Sequence, residues 1–262
     1  SGPAETVEAA AFRSGAALAH MTFLTAAADL PQALWRDRLA LVAAEVCAGF
    51  AGHREGACAL RDALHLTRPG DDPGPAGKIL RQWSQAVARP ISVAGLGRAL
   101  DGVAPEQIAL SLDAMGPTPV DRAVWVIEAV LMGNPRAETA ALILADAMLS
   151  KALGQHHVLP LMSLVLKPRD MARSGDDLRL ACHRAVVAGA RHAVPLAGEL
   201  ARAAARLRAV VPKLRAKGAE RAVEMFVSRD ALAPSALNFM SDRAARRLCE
   251  RPVELGAVRE MT

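Results

Sequence analysis

The feature that most constrains the fold of this chain is its excess of alanine together with its shortage of aromatic residues. Alanine fills about a fifth of the 262 residues, aromatic residues make up 3%, and tyrosine is absent. Alanine loses no side-chain entropy in a helix, whereas β-sheets depend on the β-branched and aromatic residues that are scarce here. We therefore expect an all-α fold in the form of a multi-helix bundle.

Helix start and stop signals predict the division of the chain. Proline after serine, threonine or asparagine predicts helix starts, as at Thr118-Pro119, and glycine predicts helix ends. The longest helical pattern spans residues 177–214 and contains Pro195, which we expect to interrupt or kink it. The prolines and glycines of residues 68–77 predict a turn-rich connector without helix. We expect a helical bundle domain over residues 1–210 and a small module over residues 211–262.

The sequence does not fit a membrane protein or a secreted protein. Charged residues interrupt the most apolar stretches, so no run of 18 uncharged residues exists, and the N-terminus lacks the basic start and apolar core of a signal peptide. We therefore expect no membrane association and a cytoplasmic location.

The cysteines have no CxxC pair and no zinc-finger spacing, which predicts reduced core thiols. They are Cys47, Cys58, Cys182 and Cys249.

The positive charge is concentrated in the last quarter of the chain. Of 32 Lys and Arg and 27 Asp and Glu, residues 201–262 hold 13 and 7, which leaves 19 and 20 for residues 1–200. The net charge of +5 therefore combines +6 after residue 200 with −1 before it. This asymmetry predicts a basic C-terminal module with an anionic partner.

The order of segments in this module resembles a winged helix-turn-helix. We expect a helix over 219–227, a short helix over 233–238, a Ser241-capped helix over 242–255 and an extended segment over 257–261. On the third helix, Ala245, Leu248 and Cys249 recur at packing spacing, with arginines on the opposite side. The residues that we predict to bind nucleic acid are Arg243, Arg246, Arg247, Lys213, Arg215 and Lys217.

Three interpretations of this basic face stay open: contact with duplex DNA, docking of a protein partner, and a plain solvated surface. Aromatic residues for base stacking are lacking, which favours duplex over single-stranded nucleic acid. We expect a regulatory or adaptor protein, with duplex DNA as the leading candidate partner. A pure protein-interaction module is a further alternative. No catalytic signature occurs and no cofactor is expected, so an enzyme is the less favoured class.

Three carboxylates fall among apolar neighbours three or four residues away, where a helix normally packs. They are Glu45, Glu128 and Asp146. We expect each to be structural, at least partly buried and paired with a cationic or hydrogen-bonding group, with arginines such as Arg38, Arg61 or Arg122 as the favoured partners. The alternative is a helical-bundle metalloenzyme, in which these carboxylates join Asp62 and His65 around a metal. Bundle di-metal sites use two Glu-x-x-His pairs, and here only Asp62-Ala-Leu-His65 resembles one.

Four strings of the sequence match a family pattern. They cover residues 60–77 (LRDALHLTRPGDDPGPAG), 212–219 (PKLRAKGA), 240–249 (MSDRAARRLC) and 255–260 (LGAVRE). On these strings, nearly the whole chain resembles an uncharacterised bacterial family that is catalogued as a domain of unknown function. The resemblance implies a mostly helical protein, and it brings no reaction and no catalytic residues.

The chain departs from that family at its C-terminus. Family members usually carry leucine at the position of Pro252 and continue past Thr262 with a short basic and aromatic segment. Proline inside a helix removes a hydrogen bond, so we expect the helix from Asp242 to end or kink near Arg251. We also expect weaker DNA binding than an intact module would give.

Overall fold

A computed structural model describes residues 5–65, 67, 71–214, 217–232, 234–254 and 256. Over these residues every regular element is helical, apart from one isolated bridge between Pro90 and His157. The prediction of an all-α fold is therefore confirmed. The helices are α1 (Val7–Thr25), α2 (Gln32–Phe50), α3 (Ala57–His65), α4 (Gly74–Ala88), α5 (Val93–Gly97), α6 (Pro105–Leu112), α7 (Pro119–Gly133), α8 (Glu138–Ala152), α9 (Pro168–Met171), α10 (Gly175–Ala209), α11 (Ala219–Phe226) and α12 (Asp242–Glu254).

The chain divides into two compact units. Unit 1 comprises residues 1–25 and 36–194, and unit 2 comprises residues 26–35 and 195–262. The boundary within α10 falls at Pro195, although α10 is continuous through this proline rather than interrupted by it. The division into a domain over residues 1–210 and a module over residues 211–262 stays a prediction.

Helix α8 is the centre of unit 1. Residues 141–150 of this helix are all buried, and α8 packs against α4, α6 and α7. A helix that is apolar on every side belongs in a core, because no face is left for solvent. Apart from Ser150, Asp146 is the only polar residue among these ten, so its carboxylate requires partners inside the unit.

The helix starts follow local rules. Thr118 caps α7, with its Oγ1 accepting a hydrogen bond of 3.1 Å from the Asp121 N–H, and Pro119 opens the helix. The connector prediction was wrong for residues 74–77, because α4 begins at Gly74. Pro75 falls in the first turn of α4, where a helix needs no N–H donor. Residues 68–70 lie outside the described part of the chain.

A close approach of two segments in unit 1 depends on one glycine. A Cβ atom at Gly189 of α10 would lie 2.3 Å from the backbone oxygen of Leu161. Only glycine lets the segment 158–166 approach the α10 backbone this closely. The same segment supplies the N–H groups that reach Asp146.

Unit 2 has a small core of its own. Its buried side chains come from the end of α10, from α11 and α12, and from the segments that connect them. Two single 3-10 turns, Val211–Lys213 and Pro234–Ala236, lie in those segments. The core residues are Ala204, Leu207, Leu214, Ala219, Ala222, Val223, Val227, Leu237, Ala245 and Leu248.

The apolar content of the chain is high, but no helix within the described ranges combines the length and the apolar character that crossing a bilayer requires.

Candidate nucleic-acid interface

Helix α12 is fixed by its N-cap and by its apolar face. The Ala244 N–H donates to Ser241 Oγ over 3.4 Å, and the Ala245 N–H donates to the Ser241 carbonyl oxygen over 2.9 Å. Ala245, Leu248 and Pro252 are buried. One face of α12 is therefore held in the core of unit 2 and the opposite face is directed to solvent.

Pro252 does not end this helix. We expected α12 to stop or kink near Arg251, but it continues to Glu254 with the proline inside it, so the expectation of an end there was wrong. The Pro252 ring is buried. Burial of this apolar ring offsets part of the cost of the missing N–H.

The three predicted arginines lie together on the outer face. Arg243, Arg246 and Arg247 are all exposed, and they occupy the first two turns of α12. None of them forms an ion pair with another residue in the described part of the chain. No described residue therefore neutralises their positive charges, which are available to an anion.

The last two turns of α12 differ from the first two. Arg251 Nη1 lies 2.6 Å from Glu254 Oε2, and Glu250 is also exposed. These acids offset the positive charge of this part of the helix. The excess charge of α12 is consequently concentrated near its N-terminus, where the helix dipole adds a further positive potential.

The other predicted basic residues have separate positions. Lys213 ends the first 3-10 turn and is exposed, and Lys217 is exposed in the turn before α11. Arg215 lies outside the described residues.

The turn at Gly218 places Lys217 near the start of α12. Gly218 has φ +92°, and a Cβ atom there would lie 3.0 Å from the Phe239 ring and 3.6 Å from the Met240 Cε. Phe239 and Met240 directly precede the Ser241 cap. Lys217 therefore belongs to the same end of unit 2 as Arg243.

Two further arginines of unit 2 already have partners. The Arg221 guanidinium lies over the Phe239 ring, 4.4 Å from its centre. Arg208 donates from Nε to Glu224 Oε1 over 3.0 Å, and this bond raises the pKa of Arg208. Both arginines belong to the surplus positive charge after residue 200, but each already contacts another side chain of unit 2.

The helix-turn-helix order is only partly visible. The first and third predicted helices are α11 and α12, whereas residues 234–236 form a single 3-10 turn in place of the expected helix over 233–238. The expected extended segment, residues 257–261, lies outside the described residues.

Asp146 in unit 1 was predicted to be buried and paired, and it is. Leu161 and Ser163 N–H groups donate to its Oδ2, the Met162 N–H donates to its Oδ1 over 3.0 Å, and the Ser163 hydroxyl donates to Oδ2 over 2.5 Å. Burial raises the pKa of Asp146 to about 6, while the four hydrogen bonds act in the opposite direction. Its partners are backbone and hydroxyl donors, which are the predicted hydrogen-bonding kind of partner, rather than the arginines that we favoured.

The predictions for Glu45 and Glu128 were wrong about burial. Both side chains are exposed, and Glu128 Oε1 accepts a hydrogen bond of 3.2 Å from the Gly175 N–H. Spacing shows which residues share a face but not where that face ends, which is why these residues were misplaced. Among the described residues, no three His, Cys, Asp or Glu side chains lie close enough together to hold a metal ion.

The thiols divide into two groups. Cys47 and Cys182 are buried core thiols, as predicted, and burial raises the pKa of both, for Cys47 to about 12. Cys249 is half-buried, and Cys58 is exposed, so the core prediction was wrong for Cys58. All four are free.

A buried polar pair joins α1 to α10, and no sequence pattern predicted it. Ser14 Oγ lies 2.8 Å from His183 Nδ1, and both side chains are buried. The Ser14 hydroxyl also lies 3.0 Å from the Ala11 carbonyl oxygen, and the tautomer of His183 decides which of the two groups donates in the Ser14–His183 bond. Burial lowers the pKa of His183, which favours the neutral ring. No local motif marks this pair, because its members are 169 positions apart.

The comparison with protein-family models gives a match over the full chain. A family model described as "Protein of unknown function (DUF1403)" matches residues 1–262, which confirms the resemblance drawn from the four strings. Neither the comparison with curated proteins nor the comparison with solved structures gives a match.

Proposed function

The chain belongs to the DUF1403 family of proteins of unknown function, and we propose that this member binds duplex DNA weakly through unit 2, in a regulatory or adaptor role. The contact is made to backbone phosphates by the N-terminal half of α12. Arg243, Arg246 and Arg247 lead the contact, and Lys217, Lys213 and Arg215 add charge from the segment before α11.

The observation that carries this proposal is the state of the three arginines. They are exposed, unpaired among the described residues and held on a helix whose other face is packed in a core. A guanidinium group binds phosphate oxygens through two parallel hydrogen bonds. Each phosphate that it neutralises releases counterions, which is the main source of sequence-independent affinity for DNA.

The aromatic residues of unit 2 favour a duplex over a single strand. Phe226 and Phe239 are both partly buried against the core, and Phe239 is covered by Arg221. Proteins that bind single strands stack bases on exposed aromatic rings. Unit 2 presents no such ring among its described residues between 195 and 254.

A helix-turn-helix module is the arrangement that this proposal favours for residues 211–262. In such modules the third helix lies in the major groove and its N-terminal residues contact the DNA. The position of the arginines in the first two turns of α12 supports that geometry. The single 3-10 turn at 234–236 favours phosphate contact over deep insertion, because it gives α12 less support than a full second helix would.

The experiment is a fluorescence anisotropy titration of a labelled 20-bp duplex at about 50 mM salt. The variant R243A/R246A/R247A is expected to bind about 100-fold or more weakly than the wild type, because it loses three phosphate contacts. The matched control is R54A/R136A/R191A. It removes three exposed arginines of unit 1 that also have no ion pair among the described residues, and it changes the net charge equally.

The control separates a defined site from general attraction. The proposal requires that R54A/R136A/R191A binds like the wild type within about threefold. Equal losses in both triple variants would mean that net charge alone attracts the duplex. If the wild type does not bind at 50 mM salt, unit 2 is not a DNA-binding module.

A further inference from the structure

Helix α1 carries an apolar stripe on its solvent face. Phe12 is 80% exposed and Phe23 is 79% exposed, and three exposed alanines lie on the same face. The spacing of the stripe is 3, 4, 3 and 4 residues, which is the spacing of a coiled-coil seam. Its members are Ala9, Phe12, Ala16, Ala19 and Phe23.

This stripe is not the face by which α1 packs on its own unit. The residues of α1 that are buried are Ala10, Ser14, Leu18 and Met21, and Ser14 bonds to His183 of α10. The helix therefore has two apolar faces, of which only one is covered. The two phenylalanines lie about 16 Å apart along the helix axis, with only alanine between them on the seam.

We propose that the α1 stripe is a self-association surface and that its occupant is the α1 stripe of a second copy of this chain. The alanines in the middle let the two helices approach closely. Phe12 and Phe23 then pack against the corresponding rings of the second copy at the two ends. A two-fold axis makes the two contacts identical, as in most homodimers.

The flanking charges select a parallel arrangement of the two helices. With Ala9, Ala16 and Ala19 on the seam, Glu8 and Arg13 take flanking positions five residues apart. In a parallel pair this spacing places Glu8 of one copy beside Arg13 of the other, twice per dimer. An antiparallel pair would instead bring Arg13 near His20 of the second copy. Both Glu8 and Arg13 are exposed, and Arg13 already forms an ion pair with Glu5 of its own chain.

The available area predicts a weak dimer. Four phenylalanine side chains that each bury about 150 Å² contribute about 600 Å², and the alanines add to this. Stable interfaces bury about 1,200 Å² or more. We therefore expect a reversible dimer that is populated at concentrations of tens of micromolar.

Sedimentation velocity of the full chain between about 1 and 200 μM tests this proposal. The wild type is expected to shift from monomer to dimer, and F12A/F23A is expected to stay monomeric up to 200 μM, an increase in Kd of at least about tenfold. The matched control is M115A/M132A, which removes two side chains of unit 1 that are 81% and 86% exposed. It should dimerise like the wild type, and circular dichroism should report equal helix content in all three proteins.

Three results would overturn the proposal: a wild type that is monomeric at 200 μM, an F12A/F23A variant that dimerises equally, or loss of the dimer in M115A/M132A. The parallel direction has its own test in a C58S background, which removes the exposed thiol. Ala9→Cys should form a disulfide-linked dimer, because the two positions face each other in a parallel pair. In an antiparallel pair centred on the stripe, the two copies of position 9 would lie about 25 Å apart, too far for a disulfide. A dimer that does not form this cross-link would therefore refute the parallel direction.

Discussion

The Arg221 guanidinium lies over the face of the Phe239 ring, with 4.4 Å between its central carbon and the ring centre. The same ring lies against the turn at Gly218, where a Cβ atom would lie 3.0 Å from it. Phe239 precedes the N-cap of α12 by two residues. The pair therefore connects α11 to the start of the helix that presents Arg243, Arg246 and Arg247.

Gly218→Ala should destabilise unit 2 by about 1–3 kcal/mol, because it adds backbone strain at positive φ and a contact with Phe239. Chemical denaturation followed by circular dichroism measures the change. Gly256→Ala is the control, since Gly256 also has positive φ, +66°, but no described residue lies within 4 Å of its Cβ position. If the two variants lose equal stability, the contact with Phe239 contributes nothing.

Ser14→Ala should cost about 1–3 kcal/mol of unfolding free energy, because it leaves the buried Nδ1 of His183 without its hydrogen-bond partner. Ser111→Ala serves as the control. Ser111 is equally buried, but its hydroxyl donates only to the Gln107 carbonyl oxygen within the same helix, over 2.8 Å. A Ser14→Ala protein as stable as Ser111→Ala would show that the Ser14–His183 bond is not needed.

Asp146 should make stability depend on pH in an unusual direction. Its pKa is raised to about 6 from a usual 3.8 by burial, so its contribution is complete below pH 4 and is lost as the pH rises through 6. The unfolding free energy of the wild type, relative to Asp146→Asn, should fall by about 2 kcal/mol between pH 4 and pH 7. His183 acts in the opposite direction, because burial lowers its pKa and its contribution is lost on acidification.

The comparison with Asp146→Asn isolates one carboxyl group, since His183 is present in both proteins. Urea denaturation at pH 4, 5, 6 and 7 gives the four differences. A relative stability that rises with pH would mean that the hydrogen bonds from residues 161–163 outweigh burial.

The all-α class and the start of α7 could be predicted because their causes are local. Alanine content, the Thr118 cap and Pro119 act within one helical turn. The same holds for the outer face of α12, where spacing alone placed Arg243 and Arg246 opposite Leu248.

The burial of the carboxylates and the polar pairs of the core depend on contacts between distant parts of the chain, which residue spacing cannot show. Asp146 and Glu128 have the same kind of apolar neighbours, yet α8 is buried on all sides and α7 is not. The partners of Asp146 are mainly backbone N–H groups 15 to 17 residues away, which carry no sequence signal. The Ser14–His183 pair escaped prediction for the same reason.

The salt dependence of duplex binding is the most direct test of the central claim that α12 binds DNA phosphates through its three arginines. If about four phosphates are neutralised, log Kobs should fall against log salt concentration with a slope of about −3.6, which is −0.9 for each phosphate. The variant R243A/R246A/R247A should retain a slope of about −0.9, and R54A/R136A/R191A should keep the wild-type slope. An equal slope for the wild type and R243A/R246A/R247A would contradict the account.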